Sequence, residues 1–230
     1  MALEITESPK IIKQISVKQC IAIVIISLLL GFGLFVIAYI GMDDTTGIGI
    51  FNQPILSWMI NHRESNITSI AKITTTIANP IVFASIVGFV VIIWAIIRHE
   101  IWRPVLLASA MAIAATTSVI LKSVIRDARP PQIDMVPMFE TDFSFPSGHT
   151  IGMAVFMLVI GYLIYSRNFC TIRFWIWIII ALIGTGLIAL SRLYLGYHWL
   201  TDIIASLGLG LIILAIVIIV DTIFIRRRKT

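Results

Sequence analysis

Acidic residues are scarce in this chain. Twelve Asp and Glu stand against 17 Lys and Arg in 230 positions, and the charged residues together make up only 13%, about half of what a soluble globular protein carries. That is too little charge to coat a water-facing fold. Cysteine is almost missing too. Cys20 and Cys170 sit far apart in the sequence, which rules out a disulfide framework. No internal repeat and no low-complexity linker breaks the chain, so 1–230 reads as a single domain. The net charge of +5 is spread over loops and tails, not gathered into the basic stripe that a nucleic-acid partner requires.

What fills the chain is apolar. Hydrophobic residues reach 59% and mean hydropathy is +1.01, which places the protein in a membrane. Six runs approach the roughly 20 residues needed to cross a bilayer: 20–40, 77–97, 104–124, 150–165, 174–190 and 200–225. The expected fold is all-α, a bundle of six transmembrane helices. The fourth run is short and reaches a spanning length if its helix starts inside the 146–149 turn. The first run follows Lys10, Lys13 and Lys18; it is long and lacks a clear small-residue cleavage site, so it reads as a retained anchor.

Charge then sets the expected orientation. Lys10, Lys13, Lys18, Arg98, Arg103, Arg167, Arg173, Arg226, Arg227, Arg228 and Lys229 share one side under this plan, 11 of the 17 basic residues. Basic excess marks the cytoplasmic face. Both termini are therefore expected inside a plasma (inner) membrane, with the 41–68, 126–148 and 191–199 connections outside. In the first of these, Phe51, Ile55, Trp58, Met59 and His62 recur at spacings of three and four, which predicts a short amphipathic helix in the interface. Asn66, Ile67 and Thr68 make a glycosylation acceptor by pattern alone.

Three polar groups interrupt this apolar plan, in the stretches 122–130, 146–149 and 191–202. Ionisable groups near a span are costly and face protein or a water-filled cavity. Each group has an ordinary structural reading as snorkelling cations, a helix-capping turn or a hydrogen-bonded pair. All three fall on the outward ends of spans three to six, where they can converge. Three cations against one carboxylate then call for a missing anion. Lys122 and Arg129 are seven apart, two helical turns, and Pro130 turns the chain after them. Pro146 and Gly148 make a turn that opens a helix, so the amides of Ser147, Gly148 and His149 form an anion site. His198 and Asp202 are spaced i, i+4, so on a helix the carboxylate holds one ring nitrogen and leaves the other free to attack.

Lys122-x6-Arg129-Pro130, Pro146-Ser147-Gly148-His149 and Ser191-Arg192-x5-His198-x3-Asp202 resemble the three-part signature of the type 2 phosphatidic acid phosphatase (PAP2) superfamily. All eleven specified positions match in order. The stretch 74–80 also resembles a weakly patterned segment of that family. The resemblance implies a lipid phosphatase with its active site at the extracytoplasmic face. His198 is the implied nucleophile, Asp202 orients it, and His149 protonates the leaving oxygen and then activates water. Lys122, Arg129 and Arg192, with Ser147 and Gly148, are the implied phosphate ligands. Three fixed cations can do what a magnesium ion does elsewhere, so no metal and no cofactor are expected.

On this reading Asp43, Asp44, Asp134, Glu140 and Asp142 are solvated loop charges. Arg126 and Asp127 match no specified position, and Arg126 is a candidate for a second phosphate. A site at the membrane boundary suits a lipid phosphate drawn from the membrane. The resemblance offers undecaprenyl pyrophosphate, the cell-wall carrier lipid, first, and as the alternative phosphatidylglycerophosphate or a broad range of lipid phosphates. Two other classes compete: a lipid-phosphate binding or transport protein, and a vanadium haloperoxidase. Both histidines and the aspartate are present, which disfavours the first. The hydropathy disfavours the second, whose known members are soluble.

Overall fold

Capping signals decide where the helices begin. In the computed structural model, which describes residues 14–137, 140–167 and 169–226, Ser16 and Gln19 form a capping box that opens helix α1 (Val17–Ile40). Lys10, Lys13, Arg227, Arg228 and Lys229, used above for orientation, lie outside the described residues. After two short 3₁₀ turns come α2 (Asn52–Asn61) and α3 (Ser65–Ile77). Asn79 caps α4 (Pro80–Arg98), whose proline at the first position lacks an amide that no helix bond needs there. Helices α5 (Trp102–Ile125), α6 (Gly148–Tyr165), α7 (Thr171–Tyr194) and α8 (Leu200–Val220) complete the order.

Among the described residues, six helices are long and apolar enough to span a membrane: α1 and α4 to α8. The expected runs are all found, with ends moved by a few residues. The fourth does start inside its turn, at Gly148. The connection 41–68 differs from its expectation. Helix α2 forms, but it buries Asn52 and Leu56 and leaves Phe51 and Trp58 exposed. The aromatic residues face outward, as interfacial aromatics do. Helix α3 was not anticipated, because three threonines in succession and a weak apolar stripe gave no spanning signal.

Burial sorts the helices into centre and rim. More than half of α6 and α8 is buried, against under a fifth of α1, α4 and α7. Leu107 and Ala114 of α5, Ile151, Val155 and Leu163 of α6, and Ile213 and Ile218 of α8 form the main core. Large apolar side chains on α1, α4 and α7 stay exposed, among them Leu29, Phe89 and Leu182; in a bilayer these meet lipid. At one end of the bundle, Arg167 pairs with Glu100, Arg103 approaches Glu100, and Tyr162 donates to the buried Asp221 at 2.8 Å. The 126–147 connection and the α7–α8 turn close the other end.

Helix α1 lies along α8 at backbone contact. A methyl group on Gly31 would come within 2.7 Å of the Gly208 carbonyl oxygen, and one on Gly208 within 2.5 Å of that of Gly31. Small residues are what allow membrane helices to approach this closely. Gly208→Leu is therefore expected to overpack the contact, at a cost of about 1–3 kcal/mol. A drop in the thermal unfolding midpoint in detergent would register it. Gly33→Ala, on the same helix where nothing approaches within 4 Å, should leave the midpoint nearly unchanged.

Candidate active site

Four chain segments converge at the closed end. The last turn of α5 supplies Lys122, and Arg126 ends that helix in a left-handed conformation at φ 57°. Arg129 therefore stands in the following loop, and the expected shared helix face with Lys122 does not exist. The last turn of α7 supplies Arg192. The chain then turns at Gly196, with φ 76° and the Asp134 carbonyl so close that a methyl group would sit 2.5 Å from it; only glycine fits both demands. This turn delivers His198.

The His198–Asp202 contact also arises differently from its expectation. Helix α8 starts at Leu200, after His198, so the two do not share a helix face. Asp202 lies in the first turn, and its Oδ2 accepts the Trp199 amide at 2.8 Å and meets His198 Nδ1 at 3.0 Å. A carboxylate that caps its own helix thus also holds the imidazole. Ser144 donates its hydroxyl proton to the same oxygen and lies 3.3 Å from His198 Nδ1. Arg129 Nη1, which can only donate, stands 3.2 Å from His198 Nε2. The tautomer follows: Nδ1 carries the proton toward Asp202, and the Nε2 lone pair faces the cations. Burial, and then the charges of Arg129, Arg192 and Lys122, hold the His198 pKa well below its ordinary value. A neutral, aimed imidazole is a competent nucleophile.

The cations are closely held. Lys122 donates to the Phe143 carbonyl and, at 3.4 Å, to that of Ser144. Arg129 donates to the Asp142 carbonyl at 2.8 Å and the Tyr197 carbonyl at 2.5 Å. Arg192, 1% exposed, donates to Thr75 Oγ1 at 2.6 Å and lies 4.6 Å from the centre of the Tyr197 ring. Glu140 and Asp142 are not the solvated loop charges they were expected to be. Asp142 pairs with Lys122 at 2.9 Å and Arg129 at 2.5 Å, while Glu140 pairs with Arg129 at 3.2 Å and Arg192 at 2.5 Å. The count of three cations against one carboxylate is corrected accordingly, because the 126–147 loop folds back over them. Asp44 is likewise engaged, accepting from Asn52 at 2.6 Å.

A cavity of about 840 Å³ opens at this point. Lys122, Arg129, Glu140, Asp142, His149 and His198 line its polar end, with Gly148 beside them. Phe83, Val87 and Val91 of α4, Met111 and Ala115 of α5 and Ile151 of α6 line the rest. Ala84, Ala112, Ala115 and Val119 in its wall are exposed, so it opens sideways between α4 and α5. Arg192 and Asp202 stand behind the wall. Ser147 does not line the cavity: its buried hydroxyl caps α6, accepting from the Thr150 amide at 3.5 Å and hydroxyl at 3.1 Å. Arg126 is exposed and turned back onto the Ser123 carbonyl, away from the cavity. Among the described residues no three His, Cys, Asp or Glu side chains gather as a metal site would.

Several residues of the site were not singled out beforehand. Ser144 lies two positions before the 146–149 motif, and its place beside that motif was the available signal. Thr75 falls in the stretch 74–80, whose weak resemblance was its signal, and Asn52 carries none. Asn52 accepts the Thr201 amide at 3.2 Å and tethers the start of α8. Arg63 bridges the Tyr194 carbonyl at 3.1 Å and the Asp134 carbonyl at 2.6 Å.

Ser144→Ala removes a hydrogen bond to a buried carboxylate, so turnover should fall about tenfold or more, with little change in KM; steady-state kinetics would read this. Asp127, in the loop after α5, has an Oδ2 with no partner among the described residues. Burial, opposed by the Ala128 amide and aided by the charge of Asp44, pushes its pKa up from 3.8 to about 6. The folded protein then holds a proton that the unfolded chain releases, so stability falls as pH rises through that window. Asp127→Asn should raise the thermal midpoint by a few degrees near neutral pH, with the gain vanishing below about pH 4.

The sequence profile described as the PAP2 superfamily matches residues 103–225, more than half of the chain and all three motif stretches. Phosphatidylglycerophosphatase B of Bacillus subtilis (strain 168) is 32% identical over 110 residues, which are 47% of this chain and 53% of that protein. The chain thus spans about half the length of this relative. The crystal structure of the first transmembrane PAP2-type phosphatidylglycerolphosphate phosphatase, from Bacillus subtilis, superposes with a TM-score of 0.71 at 22% identity, covering 90% of this chain and 98% of that one. Aquifex aeolicus LpxE superposes with 0.55 at 20% identity, over 74% and 94%. With the sequence profile spanning the motifs and the six-helix fold shared, the chain is a multi-pass membrane protein and belongs to the PAP2 superfamily.

Proposed function

We propose that the protein is a metal-independent membrane lipid phosphatase, that it acts on phosphatidylglycerophosphate, and that phosphoryl transfer runs through His198. One observation carries this reading: a single cavity joins the cation–histidine cluster to an apolar groove open between α4 and α5. An amphiphile fits such a space with its phosphate among the cations and its tail in the groove.

In this mechanism Lys122 and Arg129, which line the cavity, hold the non-bridging oxygens, and Arg192, behind the wall, reaches them only at the place the Glu140 carboxylate now takes; together they spread the charge of the transition state. The Nε2 lone pair of His198 attacks phosphorus as the bond to the lipid oxygen breaks. His149, beside it in the cavity, protonates that oxygen. Water, deprotonated by His149, then attacks the phosphohistidine and releases inorganic phosphate. Asp202 and Ser144 keep His198 in the required tautomer throughout. The Gly148 amide, at the start of α6, assists the oxygens, while Ser147 serves that helix start as its cap.

Undecaprenyl pyrophosphate, first by the sequence reading, becomes the second candidate. The names of the B. subtilis relative and of the B. subtilis structure both favour phosphatidylglycerophosphate. The basic residues Arg98, Arg103, Arg167 and Arg173 lie at the end away from the site, which supports a cytoplasmic far end and an extracytoplasmic site. The whole chain acts as one unit on this reading, since Asn52, Arg63 and Thr75 buttress the site from outside the matched residues 103–225.

Phosphate release in detergent with EDTA present tests the proposal, with both lipids run in parallel. Release from phosphatidylglycerophosphate is expected to exceed that from undecaprenyl pyrophosphate, and His198→Ala should lower it by about 10³-fold or more. Release that needs added metal, or that survives the substitution, would refute the mechanism.

A further inference from the structure

Lys122 and Arg129 at the polar end of the cavity, and Arg192 behind its wall, already hold two carboxylates. Glu140 and Asp142 make four contacts with Lys122, Arg129 and Arg192 at 2.5–3.2 Å. Lys122 and Arg129 hold the Asp142 carboxyl below the usual carboxylate range, outweighing the effect of burial, which by itself would raise it. The polar end of the cavity is thus filled by about two negative charges supplied by the chain.

The two sides of this cluster are not equally fixed. The cation side chains are 13%, 6% and 1% exposed, whereas Glu140 is 25% and Asp142 54% exposed. The cations also have anchors that do not depend on the carboxylates: the Phe143 and Ser144 carbonyls for Lys122, the Tyr197 and Asp142 carbonyls for Arg129, and Thr75 with the Tyr197 ring for Arg192. Replacing the two carboxylates by amides would keep every one of these anchors. The arrangement is a preorganised anion site whose carboxylates are its more exposed members.

A cationic site open to a membrane meets phosphodiester headgroups at high concentration, the dephosphorylated product among them if that product is phosphatidylglycerol. A phosphodiester brings one charge and two non-bridging oxygens. A terminal phosphate brings about two charges and three such oxygens. Only the second matches what the carboxylates already provide. We propose that Glu140 and Asp142 are specificity-determining residues: they compete for the phosphate site, so that a dianionic terminal phosphate displaces them and a singly charged phosphodiester does not. Discrimination here comes from a built-in competitor for the wrong ligand. The inference rests on the lipid-phosphatase reading above.

The test compares the full-length protein with Glu140→Gln/Asp142→Asn in mixed micelles, measuring KM for phosphatidylglycerophosphate and Ki for phosphatidylglycerol. The ratio of Ki to KM is expected to fall about tenfold in the double variant. An unchanged or increased ratio overturns the inference, as does a loss of turnover with both constants unmoved, which would make the carboxylates participants in the chemistry. The single variants, each expected to lower the ratio part of the way, serve if the double variant does not fold. If the wild type releases no phosphate from either lipid, the phosphatase reading fails by itself. Calorimetric titration with inorganic phosphate and with dimethyl phosphate then decides: a preference for inorganic phosphate that narrows in the variant upholds the competition, and one that does not refutes it.

Discussion

Everything at the closed end of this bundle follows from one constraint: cations placed at the end of an apolar helix bundle must be met by negative charge or strong acceptors. Arg192, His198 and Asp202 are each 2% exposed or less, so none of them can borrow compensation from bulk water. The chain answers with backbone carbonyls, one threonine hydroxyl, an aromatic face and two carboxylates. They come from three segments: Thr75 from α3, the Tyr197 carbonyl and ring from the α7–α8 turn, and the rest from the loop that holds Glu140 and Asp142. The result ties α3, the 126–147 loop and the α7–α8 turn into one polar cap over the apolar core.

The helices give that cap its geometry. Helix α8 is central because the Gly31–Gly208 contact lets α1 lie against its backbone, and its first turn therefore ends up in a fixed place. Asp202 in that turn does two things at once, capping the helix and holding His198. Helix start and imidazole orientation cannot be separated. Asn52 fixes the same turn from the other side through Thr201. The amphipathic segment between α1 and α4 is in this way part of the site's support as well as an interfacial element.

Much of this was legible along the chain. The six spans could be read because a spanning helix has to be apolar over a length set by the bilayer, whatever surrounds it. The grouping of Lys122, Arg129, His149, Arg192 and His198 at one end could be read because charge in such spans has to face other charge. Helix geometry beyond that was misjudged in two places. Seven-residue spacing put Lys122 and Arg129 on one helix, though Arg126 ends it between them, and i, i+4 spacing put His198 inside a helix that starts after it. Spacing alone does not reveal where a helix stops.

From its sequence alone, then, this protein is a six-span membrane protein carrying the PAP2 motif set, because hydropathy, charge and local motif chemistry are properties of short stretches. Only the tertiary structure decided that Glu140 and Asp142 meet the cations, that Ser144 shares Asp202 with His198, that Thr75 holds Arg192, and that Ser147 turns inward to cap α6. Those partners lie up to 117 positions apart. A loop's path over a bundle end depends on what the bundle presents there, and no local pattern records it.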